Sequence, residues 1–510
     1  MASPHGSELI AQDRSRLLGS VSLALFGQGA AFAVGLLCMI LTTRLLGPEG
    51  YGKLALFFMA LEVLSQVVGW PNLGLVRFGR EELGRNGRLA ETFGARVALF
   101  ALSLGVAAGL LFLFRGPLDA YLGLGYAPHL LLLAFIALNE TIFLLRGVFQ
   151  TVSAFRAYAV ISFAVRALNL AFLVILFLLL AWRATPAAVI EAQILSLVVV
   201  CLGALLLTPW RRLLPMEWSG RALAQMSAYS WPLLFGGLSS LVVNWVDLIV
   251  IKHYGTAAAL GCYAVAYQAV TVLTTIQGAS VSAVLPLLVS LVVEKRHEAL
   301  RWYANVALPQ VAWGLGLGCI LLGAAAEALP LVVGGSYQPS VVPAQVLMVG
   351  LGFNVFAAFQ EALARAADRV RSATAVLVAL AALNVLLDLI FVPRMGILGA
   401  AVATTASFAV TSLLYIPVLS SIPALRGDGA RGRWRAYVGL LPALLFAIAA
   451  ATCATPGARL ASALGAAVLW VAGAHFSGVF RRDTLDRLAT VRMPDRARAM
   501  LKTFYLWMGR

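Results

Sequence analysis

Hydrophobic residues fall in long blocks along this chain, and polar residues are concentrated at the joints between them. From Leu17 to Leu75 the apolar run has one interruption, Thr42-Thr43-Arg44-Leu45-Leu46-Gly47-Pro48-Glu49-Gly50-Tyr51-Gly52-Lys53. Pro48 cannot continue a helical hydrogen-bond ladder, and Gly47 and Gly50 tolerate turn geometry, so the stretch reads as a tight turn between two helices. Apolar blocks of about 20 residues then recur, each long enough to cross a bilayer. They predict about fourteen spans. Six lie near 17–43, 54–75, 97–114, 129–149, 158–181 and 187–208. Six more lie near 229–251, 260–290, 304–325, 341–363, 372–392 and 398–420, with two further spans near 437–453 and 459–479. The block at 260–290 is too long for an upright helix and is expected to tilt, kink or extend beyond the membrane.

The first turn has a degraded copy, Lys252-His253-Tyr254-Gly255 followed by Leu260-Gly261-Cys262-Tyr263. Arg44 and Lys252 are 208 residues apart, as are Gly47 and Gly255. Ala167-Leu168-Asn169 and Ala382-Leu383-Asn384 each open a long apolar stretch, and their asparagines are 215 residues apart. About six spans per half make both halves enter the membrane from the same side, a parallel repeat about an axis along the membrane normal. The expected organisation is an all-α polytopic membrane protein with two six-helix lobes and two C-terminal helices. Its parts are a lead-in at 1–16, an N-lobe at 17–208, a linker at 209–228 and a C-lobe at 229–420. The last two spans with their basic loop occupy 421–480, and a basic tail occupies 481–510.

Composition fits that class. The 510 residues are 61% hydrophobic and 12% charged, with a mean hydropathy of +0.90, where a soluble chain carries roughly 25% charged residues. The net charge of +16 would suggest nucleic acid in a soluble protein. Here the cations crowd into alternate short connections, which reads as topology and contact with anionic lipid. Arg77, Arg80, Arg85, Arg88 and Arg96 mark one such connection, and Arg426, Arg431, Arg433 and Arg435 another. The basic side is expected to be cytoplasmic, with both termini inside. Arg14 and Arg16 precede an apolar run too long for a cleaved signal, so a first span is expected there. The tail mixes arginines with Leu485, Leu488, Phe504 and Trp507, which suits either an amphipathic segment on the membrane or a disordered charged tail.

Soluble-enzyme chemistry is missing from the motifs. Gly314-Leu315-Gly316-Leu317-Gly318 lies inside an apolar block with no strand before it, so it reads as close helix packing rather than nucleotide binding. There is no zinc-protease, Walker or nucleophile-elbow pattern, and the five cysteines show no metal or disulfide spacing. The protein is expected not to be an enzyme and to need no cofactor.

Charges inside spans are costly, about 2.5–3.5 kcal/mol each on insertion scales, and so tend to face a cavity or a partner. Arg166 lies well inside its span, with Asn169 at i+3 on the same face, and Arg146 lies toward the inner end of the fourth. Among acids, Glu140 and Glu62 lie inside the fourth and second spans, Asp247 in the outer half of the seventh, and Asp388 inside the eleventh. Glu361 sits near an inner end. One reading makes these acids structural partners, for example Glu140 for Arg166. The other makes them a proton or sodium site.

Three segments carry a family resemblance. Thr43-Arg44-Leu45-Leu46-Gly47-Pro48-Glu49-Gly50-Tyr51-Gly52 resembles the first-loop signature of bacterial polysaccharide flippases. Asp247-Leu248-Ile249-Val250-Ile251-Lys252, with Gly255, Gly261, Tyr263 and Tyr267, is similar to its seventh-helix counterpart. Asn384-Val385-Leu386-Leu387-Asp388 and the following Val392-Pro393-Arg394-Met395-Gly396-Ile397-Leu398-Gly399-Ala400-Ala401 resemble a segment shared with multidrug exporters and the lipid II flippase. The resemblance implies two helical lobes around a central cavity in the bacterial cytoplasmic membrane. It implies alternating-access transfer of an undecaprenyl-pyrophosphate-linked oligosaccharide to the outer leaflet, with anionic lipids and polysaccharide polymerase machinery as partners and no nucleic acid. In that setting Arg166, Arg146 and Asn169 are substrate-binding candidates, and Glu140, Asp247, Glu62 and Asp388 are coupling-ion or intramembrane charges. The competing readings are a lipid II flippase, a proton- or sodium-coupled drug exporter, and a membrane glycosyltransferase or ligase.

Overall fold

A computed structural model describes residues 4–125, 127–426 and 430–480, with positions 499, 502, 503 and 505 beyond them; the side chains of 4–32 and some others within helices lie outside the description. Secondary structure among the described residues is helical throughout. Two compact units divide the chain between Leu241 and Val242.

The first unit contains α1 (Pro4–Gly69), α2 (Asn72–Asn86), α3 (Ala90–Leu113), α4 (Arg115–Leu122), α5 (Pro128–Thr151), α6 (Phe155–Leu173), α7 (Pro186–Leu207) and α8 (Trp210–Leu213). It also contains the start of α9 (Gly220–Tyr254). The remainder of α9 belongs to the second unit with α10 (Ala257–Val293), α11 (His297–Trp302), α12 (Leu308–Ala325), α13 (Leu329–Val333), α14 (Val341–Ala366), α15 (Val370–Met395), α16 (Ile397–Ser420), α17 (Ala430–Thr452) and α18 (Pro456–Ser477). Within the first unit, α5 packs on α2 and α7, and α7 packs on α6. Within the second, α14 packs on α10 and α16, and α16 on α15. The two units thus repeat one order of neighbours.

Eleven helices among the described residues are long and apolar enough to cross a membrane. The first of these stretches, Ala33–Asn86, covers parts of two expected spans. Helices α9 and α10 cover two more, and α10 runs unbroken for 37 residues, about 55 Å at 1.5 Å per residue and longer than a bilayer core is thick. Large apolar side chains lie open on the surface, including Leu206, Leu331, Val293 and Leu113. On a soluble protein such extensive exposure would be a liability; here it is the surface that lipid covers.

The turn inside α1 has one cause. Gly47 has φ 64° and ψ 179°, a conformation essentially confined to glycine, and the space around its Cα is open, so dihedral strain alone excludes a side chain. Pro48 follows and fixes the new direction. The copy in the second half is built differently: α9 ends at Tyr254, and Thr256 caps α10 by accepting a hydrogen bond from the Ala259 N–H at 3.2 Å. The two turns share a place in the chain and not a geometry.

The connection between α12 and α14 is largely helical, with α13 flanked by two 3-10 turns. Of the glycine run, Gly316 acts in close packing, while Gly314 and Gly318 have open space where a Cβ would stand. A Cβ on Gly316 would stand 2.4 Å from the Gly439 carbonyl oxygen of α17, and one on Gly439 would meet the Trp313 ring at 2.6 Å. Trp313 donates to the Arg435 carbonyl at 3.0 Å, and Trp470 of α18 donates to the Trp313 carbonyl at 2.7 Å. The two terminal helices are therefore stitched to α12. The lead-in at 1–16 is part of α1 from Pro4 onward, with its side chains outside the description. An amphipathic tail at 481–510 lies almost wholly outside the described residues. Its Tyr505 is buried and donates to Gln310 of α12 at 3.0 Å.

Candidate functional site

Two groups of polar residues stand out within the helices, one in each unit. In the first unit, α6 carries Tyr158, Ser162, Arg166 and Asn169 at spacings of four, four and three, which place them on one face. Arg146 of α5 joins the stripe at one end. It donates to the Tyr158 hydroxyl at 2.8 Å and lies over that ring, 4.7 Å from its centroid, a cation–π contact. Arg166 lies about 12 Å further along the helix axis and is solvent-accessible. Its aliphatic stem packs near Gly35 of α1. Asn169 keeps a buried carbonyl oxygen without a hydrogen-bond donor. The stripe thus presents a cation, an amide and a hydroxyl along one surface of the first unit.

The acids of the first unit gather elsewhere. Glu140 is buried on α5, beside Ser65 and with Glu62 of α1 as an electrostatic neighbour. Asn139 donates to Glu140 at 3.3 Å, and Gln66 donates to Glu62 at 3.4 Å. No ion pair between Glu140 and Arg166 occurs among the described residues. The cation that acts on Glu140 is Arg96. This corrects the assignment of Arg96 to a basic connection: it sits inside α3, fully buried, with Nε donating to Asn72 Oδ1 at 2.9 Å. Its guanidinium also lies over the Phe100 ring, and both terminal nitrogens lack acceptors. A charge run in the sequence conceals it, because Arg96 is less than two turns into the helix.

In the second unit, Asp247 of α9, Asn384 and Asp388 of α15 and Thr404 of α16 meet, each no more than 1% exposed. Residues 384 and 388 are one turn apart and share a face of α15. Thr404 donates to Asp247 Oδ2 at 2.8 Å, and Tyr263 of α10 makes a short hydrogen bond to the same oxygen. The Asn384 amide donates to Thr404 at 3.4 Å. The Asp388 side chain lies against that of Asp247. Asp247 Oδ1, both Asp388 oxygens and Asn384 Oδ1 have no donor.

That oxygen set has a definite chemistry. Two carboxylates side by side in a dry interior repel each other and are not stable as a bare pair of anions. A shared proton or a small hard cation resolves both the charge and the unfilled lone pairs. Carboxylate, amide and hydroxyl oxygens are the ligands hard cations take, and no soft sulfur or imidazole ligand is present in the cluster. The four orphaned oxygens fit Na+ or H+.

The polysaccharide biosynthesis protein family model matches residues 17–292, more than half of the chain. The chain belongs to that family. No individually curated protein matches it. Among solved structures, the lipid II flippase MurJ in an inward closed conformation is similar over 91% of this chain and 99% of its own, at 13% identity and TM-score 0.65. An inward-facing multidrug resistance MATE family transporter of the MOP superfamily aligns over 79% of this chain and 99% of its own, at 14% identity and TM-score 0.66. A Vibrio cholerae MATE transporter aligns over 81% and 98%, at 15% identity and TM-score 0.52. At these identities the likeness is one of fold.

Within this polysaccharide biosynthesis family member, the expected acids separate into two groups in space. Asp247 and Asp388 come together, and Glu140 and Glu62 form a separate group beside Arg96. Glu361 is committed to an ion pair with Arg365 one turn away on α14. In the sequence, Asn384 and Tyr263 stand out only as parts of motifs, and Thr404 carries no mark. The i, i+4 spacing of Asn384 and Asp388 was visible. The convergence of α16 onto that face was not.

Proposed function

We propose that the protein is a flippase that moves an undecaprenyl-pyrophosphate-linked oligosaccharide from the cytoplasmic to the outer leaflet of the bacterial inner membrane, by alternating access coupled to Na+ or H+. The observation that carries this reading is a polar stripe with Arg166 on a membrane-length helix, joined at one end by Arg146 of α5, in a polysaccharide biosynthesis family member. An anionic pyrophosphate needs such cations, and guanidinium groups bind phosphate with directional, charge-assisted hydrogen bonds. An exporter of organic cations would need the opposite charge on that surface. Asp247, Asn384, Asp388 and Thr404 would hold the coupling ion, which supplies the free energy that biases one conformation over the other. No step of the cycle involves covalent chemistry, and the protein acts on its substrate without catalysing a reaction.

Deleting the gene tests the reading. The expected result is accumulation of a lipid-linked oligosaccharide in the inner leaflet and loss of a surface polysaccharide. Accumulation of peptidoglycan precursor would move the substrate to lipid II. Drug sensitivity without any lipid-linked intermediate would replace the reading with the exporter.

At residue level, Arg166→Gln is expected to weaken substrate binding roughly tenfold to a hundredfold, the worth of about 1.5–3 kcal/mol for a hydrogen bond to a charged group. Arg166→Lys should recover part of the loss, since it keeps the charge and loses the planar fork. Binding of undecaprenyl pyrophosphate to purified protein in nanodiscs checks this. Equal affinity in the wild type and the glutamine variant would remove Arg166 from the site.

A further inference from the structure

The second unit holds a cavity of about 520 Å³ walled by α9, α10 and α14, within the size range of small-molecule sites. It is distinct from the buried carboxylate cluster and adjoins it. Its polar lining comes from Asn244, Tyr267, Thr271, Thr274, Gln277 and Asn354, which are amides, aliphatic hydroxyls and one phenol. Gln277 keeps a buried carbonyl oxygen with no donor. The charged residues in the lining are Glu361 and Arg365, and they are paired with each other.

The charge balance selects among ligands. A pyrophosphate would have to draw Arg365 away from Glu361, and an organic cation would have to draw Glu361 away from Arg365. An uncharged polyol makes neither demand. It offers hydroxyls that both donate and accept, which matches amide and hydroxyl walls and gives the orphaned Gln277 oxygen a donor.

Position connects the cavity to the coupling site. Asn244 and Asp247 are one turn apart on α9, and Tyr263 and Tyr267 are one turn apart on α10. Tyr263 donates to Asp247 in the carboxylate cluster, and Tyr267 donates to Asn244 at the cavity wall at 2.9 Å. The two rings are 6.2 Å apart. One pair of helices thus carries two parallel tyrosine hydrogen bonds, one to a carboxylate and one to an amide oxygen, one for each site.

We infer that this cavity binds the sugar portion of the substrate, recognising an uncharged glycan through Gln277, Asn354 and the Tyr267–Asn244 pair. The inference rests on the flippase reading above and assigns the glycan to a different place from the pyrophosphate. The test compares two probes on purified full-length protein in nanodiscs by native mass spectrometry. One is the lipid-linked oligosaccharide extracted from the deletion strain, and the other is undecaprenyl pyrophosphate without sugar. Wild-type protein is expected to prefer the sugar-bearing lipid by about tenfold, as two or so extra hydrogen bonds provide. Gln277→Leu and Asn354→Leu, made singly, should each erase most of that preference while binding the bare lipid as the wild type does, which also shows that they are folded. Undiminished preference in both variants, or parallel loss of both probes, would overturn the glycan assignment and leave the flippase reading standing. Failure of the wild type to bind either lipid would overturn the flippase reading and the glycan site with it.

Discussion

Replacing Asp388 with Asn is expected to abolish gradient-driven transport while leaving the protein folded. The substitution is nearly isosteric, and it removes one of two neighbouring buried carboxylates. Like charges that lack a counter-ion repel, so the variant without ion should be no less stable than the wild type without ion. What it loses is the ion's differential hold on one conformation. Coupling free energies of that kind are about 1–3 kcal/mol, roughly 5- to 150-fold in equilibrium. Stability gives an independent reading, because a ligand that binds only the folded state raises the melting temperature with its concentration. If Na+ is the ion, wild-type protein in NaCl should melt higher than in choline chloride, and Asp388→Asn and Asp247→Asn should show no such difference. If H+ is the ion, NaCl should have no effect on either protein, and only a proton gradient should drive the wild type. Variants that retain full coupling to either gradient would take the cluster out of the transport cycle.

The second large effect is structural. Arg459, at the start of α18, grips Glu327 with two hydrogen bonds, Nε to Oε1 at 2.5 Å and Nη2 to Oε2 at 3.1 Å. Gln345 of α14 donates to the same carboxylate at 2.9 Å. The remaining guanidinium nitrogen donates to the carbonyls of Cys453 and Ala454, both at 3.3 Å, just beyond the end of α17. One side chain therefore joins the α17–α18 connection, the end of α12 and α14. Both partners are largely buried, at 6% and 12% side-chain exposure. Removing one member of such a pair costs about 3–5 kcal/mol, because the other is left uncompensated. Arg459→Leu should accordingly lower the melting temperature of the purified protein, and Glu327→Gln combined with it should recover part of the loss. A double variant as unstable as the sum of the singles would show that the pair contributes no coupling.

Much of this architecture was legible in the sequence because a bilayer leaves few options. Backbone groups in lipid must be satisfied internally, so long apolar blocks can only be helices. Gly47-Pro48 marked a turn for a reason the structure repeats, since its dihedral angles are open only to glycine. The close packing expected of the glycine run at 314–318 is met at Gly316 alone, where the absence of a side chain lets the α17 backbone approach. The candidate site was legible only in part. A charge inside an apolar block announces that it needs a partner without naming one. Glu140 makes no ion pair with Arg166 among the described residues; the cation whose field reaches it is Arg96, because the neighbour depends on which helices pack side by side. Thr404 carried no signal at all: a threonine in an alanine-rich helix looks like packing until α16 brings it to Asp247. Glu361 looked like an interfacial charge, and its pairing with Arg365 follows from simple i, i+4 spacing.

The central claim is that this chain moves a lipid-linked oligosaccharide across a bilayer. Reconstitution of the purified protein with the lipid extracted from the deletion strain measures this most directly, by the fraction of that lipid exposed to a membrane-impermeant enzyme or lectin over time. The predicted result is transfer between leaflets that requires the protein, is driven by a sodium or proton gradient, and loses that drive in Asp388→Asn. Transfer no faster than in protein-free vesicles, with either gradient applied, would contradict it.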